Sequence, residues 1–248
     1  MTRGRAALLW AIVLLATALL CAPPADAKPT APEPARLRAA GAGTVTLGGV
    51  HVDLRSGTRQ VVTVNHASGY HARVTFWVRR HHRWHHVFSA ADGRIGYGGL
   101  VERKERHQGT GTTPLGTFGI PFVFGMHPER RVWDVPYREV RAGDYWVEDN
   151  GSRFYNRFRD KRLRGFRWWL PASDENSSER LRDYRDQYEW SFVLDFNWNQ
   201  VRHRGAGIFL HVNGSGATAG CVSAPRWFVH RLVQRVHNDE LPVVAIGR

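Results

Sequence analysis

Short runs of β-branched and aromatic residues recur along most of this 248-residue chain, and they limit the folds it can adopt. Runs of this length and composition are typical of β-strands. We expect strands at Val61–Val64, Val74–Val78, Phe118–Phe124, Tyr145–Val147, Ser191–Phe196, Ile208–Val212 and Val243–Ile246.

One clear helix is predicted near the C-terminal end. Val229, Leu232, Val233 and Val236 follow the i, i+3, i+4, i+7 spacing of an amphipathic helix, and Pro225 suits its first turn. Many short strands with one late helix favour a mainly β fold, a β-rich sandwich or barrel with peripheral helices.

The N-terminus has the layout of a secretory signal peptide. Arg3 and Arg5 precede an apolar run over residues 6–20, and the small-residue pattern Ala25-Asp26-Ala27 follows. The run is shorter than the roughly 18 residues expected of a spanning helix. We therefore expect residues 1–27 to be a cleaved signal peptide of an exported protein, secreted or wall-associated. Retention of this segment as an anchor is the alternative.

The rest of the chain divides into a linker and one domain. Residues 28–58 are expected to form a Pro/Ala/Gly-rich linker and a poorly defined N-terminal segment, and residues 59–248 a single domain. The formal net charge of the whole chain is +13. In an exported protein such a charge favours anionic wall polymers, anionic lipids and peptide carboxylates as surroundings, rather than nucleic acid.

The small number of cysteines limits what they can do in this protein. The chain has two cysteines, and Cys21 lies in the predicted signal peptide, so the mature protein would hold Cys221 alone. No intramolecular disulfide is then expected. A single cysteine in an exported protein is a reactive thiol, an intermolecular partner or a small buried hydrophobic residue.

The neighbours of Cys221 favour a reactive thiol. His211 ends an expected strand, and a loop of nine residues containing Gly214 and Gly216 returns to Cys221. Glycine permits tight turns, so we expect the imidazole to lie within hydrogen-bond reach of the thiol and to act as its base. Spacing alone leaves open an inert buried cysteine beside an unrelated histidine.

Two further influences on the thiol are expected from the flanking sequence. The positive end of the helix that begins near Pro225 would lie close to Cys221 and favour the thiolate. Because Gly220 has no side chain, the amides of Gly220 and Cys221 are candidate oxyanion donors.

Several stretches resemble conserved motifs of the YkuD-type L,D-transpeptidases. The main one is the active-site block, Ile208–His211 followed by Thr218–Ser223. Similarity covers roughly residues 60–248, nearly the whole expected domain. The other similar stretches are Gly109–Phe118, Asp144–Asp149, Tyr155–Asn156 and Asp195–Asn197.

The resemblance implies a β-rich catalytic domain without cofactor or metal that transfers acyl groups between peptidoglycan stem peptides. Cys221 would be the nucleophile and His211 the base. The oxyanion and substrate site would comprise Thr218, Gly220, Asn197 and Ser223.

Two departures from the family pattern indicate a divergent branch. The commoner motif has histidine where this chain has Ala219, and asparagine or arginine where it has Ser223. The choice of substrate and of acceptor therefore stays open. The alternatives are an L,D-carboxypeptidase with the same acyl-enzyme, a different cysteine peptidase, and a non-catalytic wall-binding module.

We interpret two charged runs as surface features rather than as binding sites. The run His81–His86 is interrupted by arginine, so we expect an exposed polar strand rather than a metal site. The stretch Arg153–Arg167 carries seven basic residues, and we expect a solvated surface, with an anionic-polymer contact as the alternative.

Overall fold

The computed structural model describes residues 41–248. The predicted signal peptide, with Cys21, and the first part of the predicted linker lie outside the described residues.

Strands dominate the described part of the chain. The helical elements are α1 (Arg226–Val233) and the short 3-10 turns Lys161–Leu163, Leu181–Tyr184 and Asn238–Glu240. In chain order the strands are β1 (Gly41–Leu47), β2 (Val50–Arg55), β3 (Gln60–Ser68), β4 (His71–Arg80), β5 (Arg83–Arg94), β6 (Leu100–Val101), β7 (Thr113–Pro114), β8 (Gly116–Gly119), β9 (Val123–Gly125), β10 (Tyr137–Glu139), β11 (Asp144–Trp146), β12 (Phe158–Asp160), β13 (Glu179–Arg180), β14 (Trp190–Val193), β15 (Phe209–Val212), β16 (Val222–Ala224) and β17 (Val243–Gly247).

Ten strands form one large curled sheet in the order β10-β9-β14-β15-β16-β5-β4-β3-β17-β8. Three neighbouring pairs are parallel, namely β10 with β9, β15 with β16, and β17 with β3. A three-stranded sheet has the order β12-β11-β13. The expected mainly β fold is confirmed. No helix among residues 41–248 is long and apolar enough to cross a membrane.

The middle of the large sheet is buried on both faces. On one face, Leu210 and Val222 pack with Phe228 of α1 in the main core. On the other face, Phe209 packs with Trp146 and other aromatic residues in a second core. Alternating residues of β15 therefore enter different cores, as the two-residue period of a strand requires.

The β1–β2 hairpin lies within the segment expected to be a linker and poorly defined. Val50 and Val52 are buried and pack with Val61 and Val243. Their alternation with exposed residues is the pattern of a strand with one buried face. The ordered domain therefore begins before the predicted boundary at residue 59.

One expected strand is divided into two. The run Phe118–Phe124 contributes to β8 and β9, and the break contains Pro121. Proline has no backbone N–H to donate to a neighbouring strand, so it interrupts the pairing. The two pieces join different neighbours, β17 and β14.

The histidine run forms the tip of the β4–β5 hairpin. His81 and His82 have positive φ angles of 48° and 63°, as two-residue hairpin turns often require. His85 and His86 are exposed on β5. The histidines of the run are therefore exposed, with His81 and His82 in the turn and Arg83–His86 in the strand.

Candidate active site

A groove of about 900 Å³ opens beside the second core. Its lining includes a thiol, an imidazole, phenols, guanidinium groups and carboxyl groups. The side chains important for the chemistry described below are Cys221, His211, Tyr188, Arg106, Glu148 and Glu179.

The pairing of β15 with β16 places Cys221 and His211 on one face of the sheet. These strands are parallel, with Leu210 opposite Val222 and His211 opposite Ser223. One step back along both strands, Cys221 stands level with Phe209, whose side chain enters the second core. Side chains two residues apart point the same way, so the imidazole and the thiol share this face. The nucleophile and base predicted from the sequence are thus diagonal neighbours.

The Cys221 thiol is held by the backbone. Its Sγ donates to the Gly207 carbonyl over 3.2 Å and accepts from the Phe209 amide over 3.4 Å. Only 8% of the residue is exposed. Burial raises the pKa of the thiol to about 12, and the nearby carboxyl of Glu179 adds to this effect.

His211 has a defined tautomer. Its Nδ1 lies 2.8 Å from the Val212 carbonyl, and because a carbonyl can only accept, Nδ1 carries the proton. The lone pair is therefore on Nε2. Burial lowers the pKa of the imidazole to about 4. The ring also packs edge-on against Tyr188, with centroids 5.4 Å apart.

The expected hydrogen bond between thiol and imidazole is absent from the described residues, since both groups bond to the backbone instead. The expected help from the helix is also absent. Residues Val222–Ala224 form a strand of roughly 10 Å between Cys221 and the start of α1, whereas a helix dipole acts mainly within its first turn. With their pKa values shifted apart, thiol and imidazole are both neutral near pH 7.

Thr218 fixes the turn that carries the thiol. Its Oγ1 donates to the Cys221 carbonyl over 2.6 Å and accepts from the Gly220 amide over 3.1 Å. Gly220 adopts φ +128°, a conformation that L side chains rarely adopt. The Gly220 amide is therefore already engaged and not free to stabilise an oxyanion while this bond persists.

Thr113 joins the stretch Gly109–Phe118 to the same turn. Its hydroxyl donates to the Gly220 carbonyl over 2.8 Å and accepts from the Gly96 amide over 2.8 Å. Thr113 is completely buried. A threonine distant in sequence thus supports the backbone on which the thiol stands.

Asn156 fixes the backbone on the opposite side of the thiol. Its Oδ1 accepts from the Gly207 amide and from the Trp146 indole N–H, each over 3.0 Å. The Gly207 carbonyl in turn accepts from the thiol of Cys221. The stretches around Trp146 and Asn156 that were singled out in the sequence therefore meet next to Cys221.

The structure gives Ser223 and Asn197 supporting positions rather than places in the groove lining. Ser223 is fully buried, and its hydroxyl donates to Asn213 over 2.7 Å. Asn197 has φ 49° and donates to the carbonyls of Val201 and Gly205. It organises the loop before β15, as expected of an asparagine in a turn.

Several polar residues of the groove, among them Tyr188, Glu179 and Glu148, had no role assigned from sequence. The Tyr188 hydroxyl donates to Glu179 over 2.7 Å. Burial raises the pKa of both Glu179 and Glu148. The charge of Glu179 raises the pKa of Glu148 further. Tyr188 and Glu179 come from segments without a recognisable motif, so only the folded chain identifies them.

Other charged groups have local roles in the structure. In the basic stretch, Arg162 pairs with Asp160 and Arg167 pairs with Asp149. Within residues 41–248, the group of three potential metal ligands that lie close together is Asp134, His237 and Asp239, all exposed. The histidine run at the β4–β5 turn contributes none of these ligands.

Comparison with known proteins gives no family assignment. No protein-family model matches the chain, and a search of curated proteins finds no significant match.

Proposed function

We propose that this chain is a cysteine acyltransferase of the L,D-transpeptidase kind that acts on peptidoglycan stem peptides. The observation that carries the proposal is the placement of Cys221 and His211 on one sheet face at a groove, with the lone pair of the imidazole on Nε2. Export to the bacterial wall is part of the proposal and rests on the N-terminal sequence.

The proposed acylation starts from neutral groups. As Sγ of Cys221 attacks the peptide carbonyl carbon, the thiol proton passes to Nε2 of His211 and an S–C bond forms. The tetrahedral intermediate then expels the terminal D-alanine by breaking the C–N bond. The imidazolium returns its proton to the departing amine.

Deacylation would reverse these roles with a new nucleophile. An amine of a second stem peptide attacks the thioester, the S–C bond breaks, and a peptide bond forms. The proton lost by the amine passes through Nε2 to the sulfur and restores the thiol. Water in place of the amine would give a carboxypeptidase from the same acyl-enzyme.

A product assay tests this proposal. Purified protein is incubated with a tetrapeptide stem ending in D-alanine and a second stem bearing a free amine, and the products are weighed by mass spectrometry. We expect release of D-alanine with a cross-linked dimer, and neither product from Cys221→Ser. A trimmed tripeptide without dimer would indicate the carboxypeptidase. No D-alanine release by folded wild-type protein, or full release by Cys221→Ser, would refute the acyl-enzyme.

A further inference from the structure

Arg106 is a buried cation at the thiol. The residue is 5% exposed, yet its side chain contributes to the groove that contains Cys221. Its Nε donates to the Thr112 carbonyl over 2.8 Å, and Nη1 donates to the Arg204 carbonyl over 3.2 Å. The guanidinium also lies over the Phe196 ring, 5.4 Å from the centroid. These contacts fix its plane and direction.

Two glycines make room for this guanidinium. A Cβ on Gly205 would overlap Nη1, and a Cβ on Gly220 would stand 2.8 Å from Nη2. Gly220 immediately precedes the nucleophile, so Nη2 lies next to the reacting position. Gly205 and Gly220 are both far from Arg106 in sequence. They both border its guanidinium and leave room for it because they have no side chain.

No carboxylate pairs with Arg106 in the described part of the chain. Its hydrogen bonds go to neutral carbonyls, and Glu148, a carboxyl group whose charge acts on Arg106, forms no ion pair with it. Other arginines of this protein, such as Arg167, pair directly with carboxylates. A buried cation without a counterion is costly, and a bound anion at Nη2 would offset that cost.

We infer that Arg106 binds the free carboxylate of the donor peptide, next to the carbonyl that Cys221 attacks. This inference rests on the proposed function. A guanidinium donates to carboxylates with strong, directional hydrogen bonds, and Nη2 is the arm without a protein acceptor among the described residues. The substrate class is therefore a peptide whose last residue, the leaving group, has an unblocked carboxylate.

The test compares two donors that differ only at the carboxylate. One is a tetrapeptide stem ending in D-alanine, and the other is the same peptide ending in D-alanine amide. We expect wild-type protein to form its acyl-enzyme roughly 10- to 100-fold faster from the acid, the size expected of one charge-assisted contact. Equal rates from acid and amide would overturn the inference while leaving the proposed function intact.

The variant Arg106→Gln should remove the discrimination. Its rate with the acid should fall to near its rate with the amide, whereas Arg103→Gln, an exposed arginine three residues away, should keep the wild-type ratio. If Arg106→Gln slows both donors equally, its role is structural or acts on the thiol, and the inference fails. Should Arg106→Gln not fold, the wild-type comparison still decides. Acylation by neither peptide would overturn the proposed function, and this inference with it.

Discussion

The Cys221 thiol and the His211 imidazole are both neutral because the fold buries them. Burial raises the pKa of one and lowers that of the other, so a thiolate–imidazolium pair is disfavoured near neutral pH. Arg106 and the Phe209 amide oppose the effect on the thiol only in part. Proton transfer in the proposed reaction must therefore accompany attack on the carbonyl rather than precede it.

Replacing His211 by alanine should test its role as the base. We expect acylation of Cys221 by a stem peptide to slow by roughly 10² to 10⁴, the usual contribution of a general acid-base. The measurement is the rate of thioester formation followed by intact-protein mass. His85→Ala is the matched control, because His85 is exposed on β5 and should leave the rate unchanged.

The pH profile of wild-type protein adds a second readout to the same prediction. The base must be unprotonated, and burial lowers the pKa of His211 to about 4. The part of the rate that depends on His211 should stay level as pH falls from 8 to 5 and decline as pH approaches 4. Glu148 and Glu179, whose pKa values burial raises to about 8 and about 7, take up protons within this range, so the decline near pH 4 is read against the profile of His211→Ala, which should lack it. A folded His211→Ala protein with the wild-type rate would refute the assignment of His211 as base.

Residue by residue, the sequence identified only the local part of the site. His211 and Cys221 are ten residues apart, and a strand with a glycine-containing loop led to the prediction that they lie side by side; the strand register places them as diagonal neighbours on one sheet face. Arg106, Tyr188 and Glu179 arrive from distant segments, and their convergence depends on tertiary packing. The expected hydrogen bond between the thiol and the imidazole does not form, because nearby backbone groups bond to both side chains.

At the scale of elements, the turn before β16 is stabilised by contacts from a different part of the chain. Thr218 acts within the turn, whereas Thr113 reaches it from β7. Since the Thr113 hydroxyl bonds to both Gly96 and Gly220, it also connects the segment just after β5 to the turn before β16. The position of Cys221 therefore depends on a long-range contact.

Removing the Thr113 hydroxyl should loosen this turn. Thr113→Val keeps the side-chain shape but leaves the Gly96 amide and the Gly220 carbonyl without this partner, which should lower the free energy of unfolding by about 2 kcal/mol. Urea unfolding measures the change. Thr113→Ser retains the hydroxyl and should lose less. Equal stability of wild type and Thr113→Val would contradict this role.

Strands were predictable where apolar residues formed a run, and less so where sheet context decides. Pro121 divided one expected strand, because pairing needs a backbone donor. The histidine-rich run was expected to be an exposed strand, but its extension to Arg94 was not, because the pairing of β5 with β4 decides its length. The β1–β2 hairpin was missed because its short alternating pattern follows a Pro/Ala-rich segment.

At the scale of the whole molecule, the positive net charge does not describe the groove, which is lined by acidic residues as well. The chain carries +13, but the groove beside Cys221 is also lined by Glu148, Glu179 and Asp183. Total charge thus bears on the surroundings of the protein rather than on its reaction. The basic residues are partly used in structural contacts, such as the pair between Arg167 and Asp149.

The central claim is that Cys221 is an acylable nucleophile, and one measurement tests it most directly. Wild-type protein is exposed to a penem-class β-lactam, its intact mass is recorded, and peptide mapping distinguishes Cys221 from Cys21. We predict a covalent adduct of one penem on Cys221, absent from Cys221→Ser. A folded wild-type protein with no mass shift, or an adduct that persists in Cys221→Ser, would contradict the account.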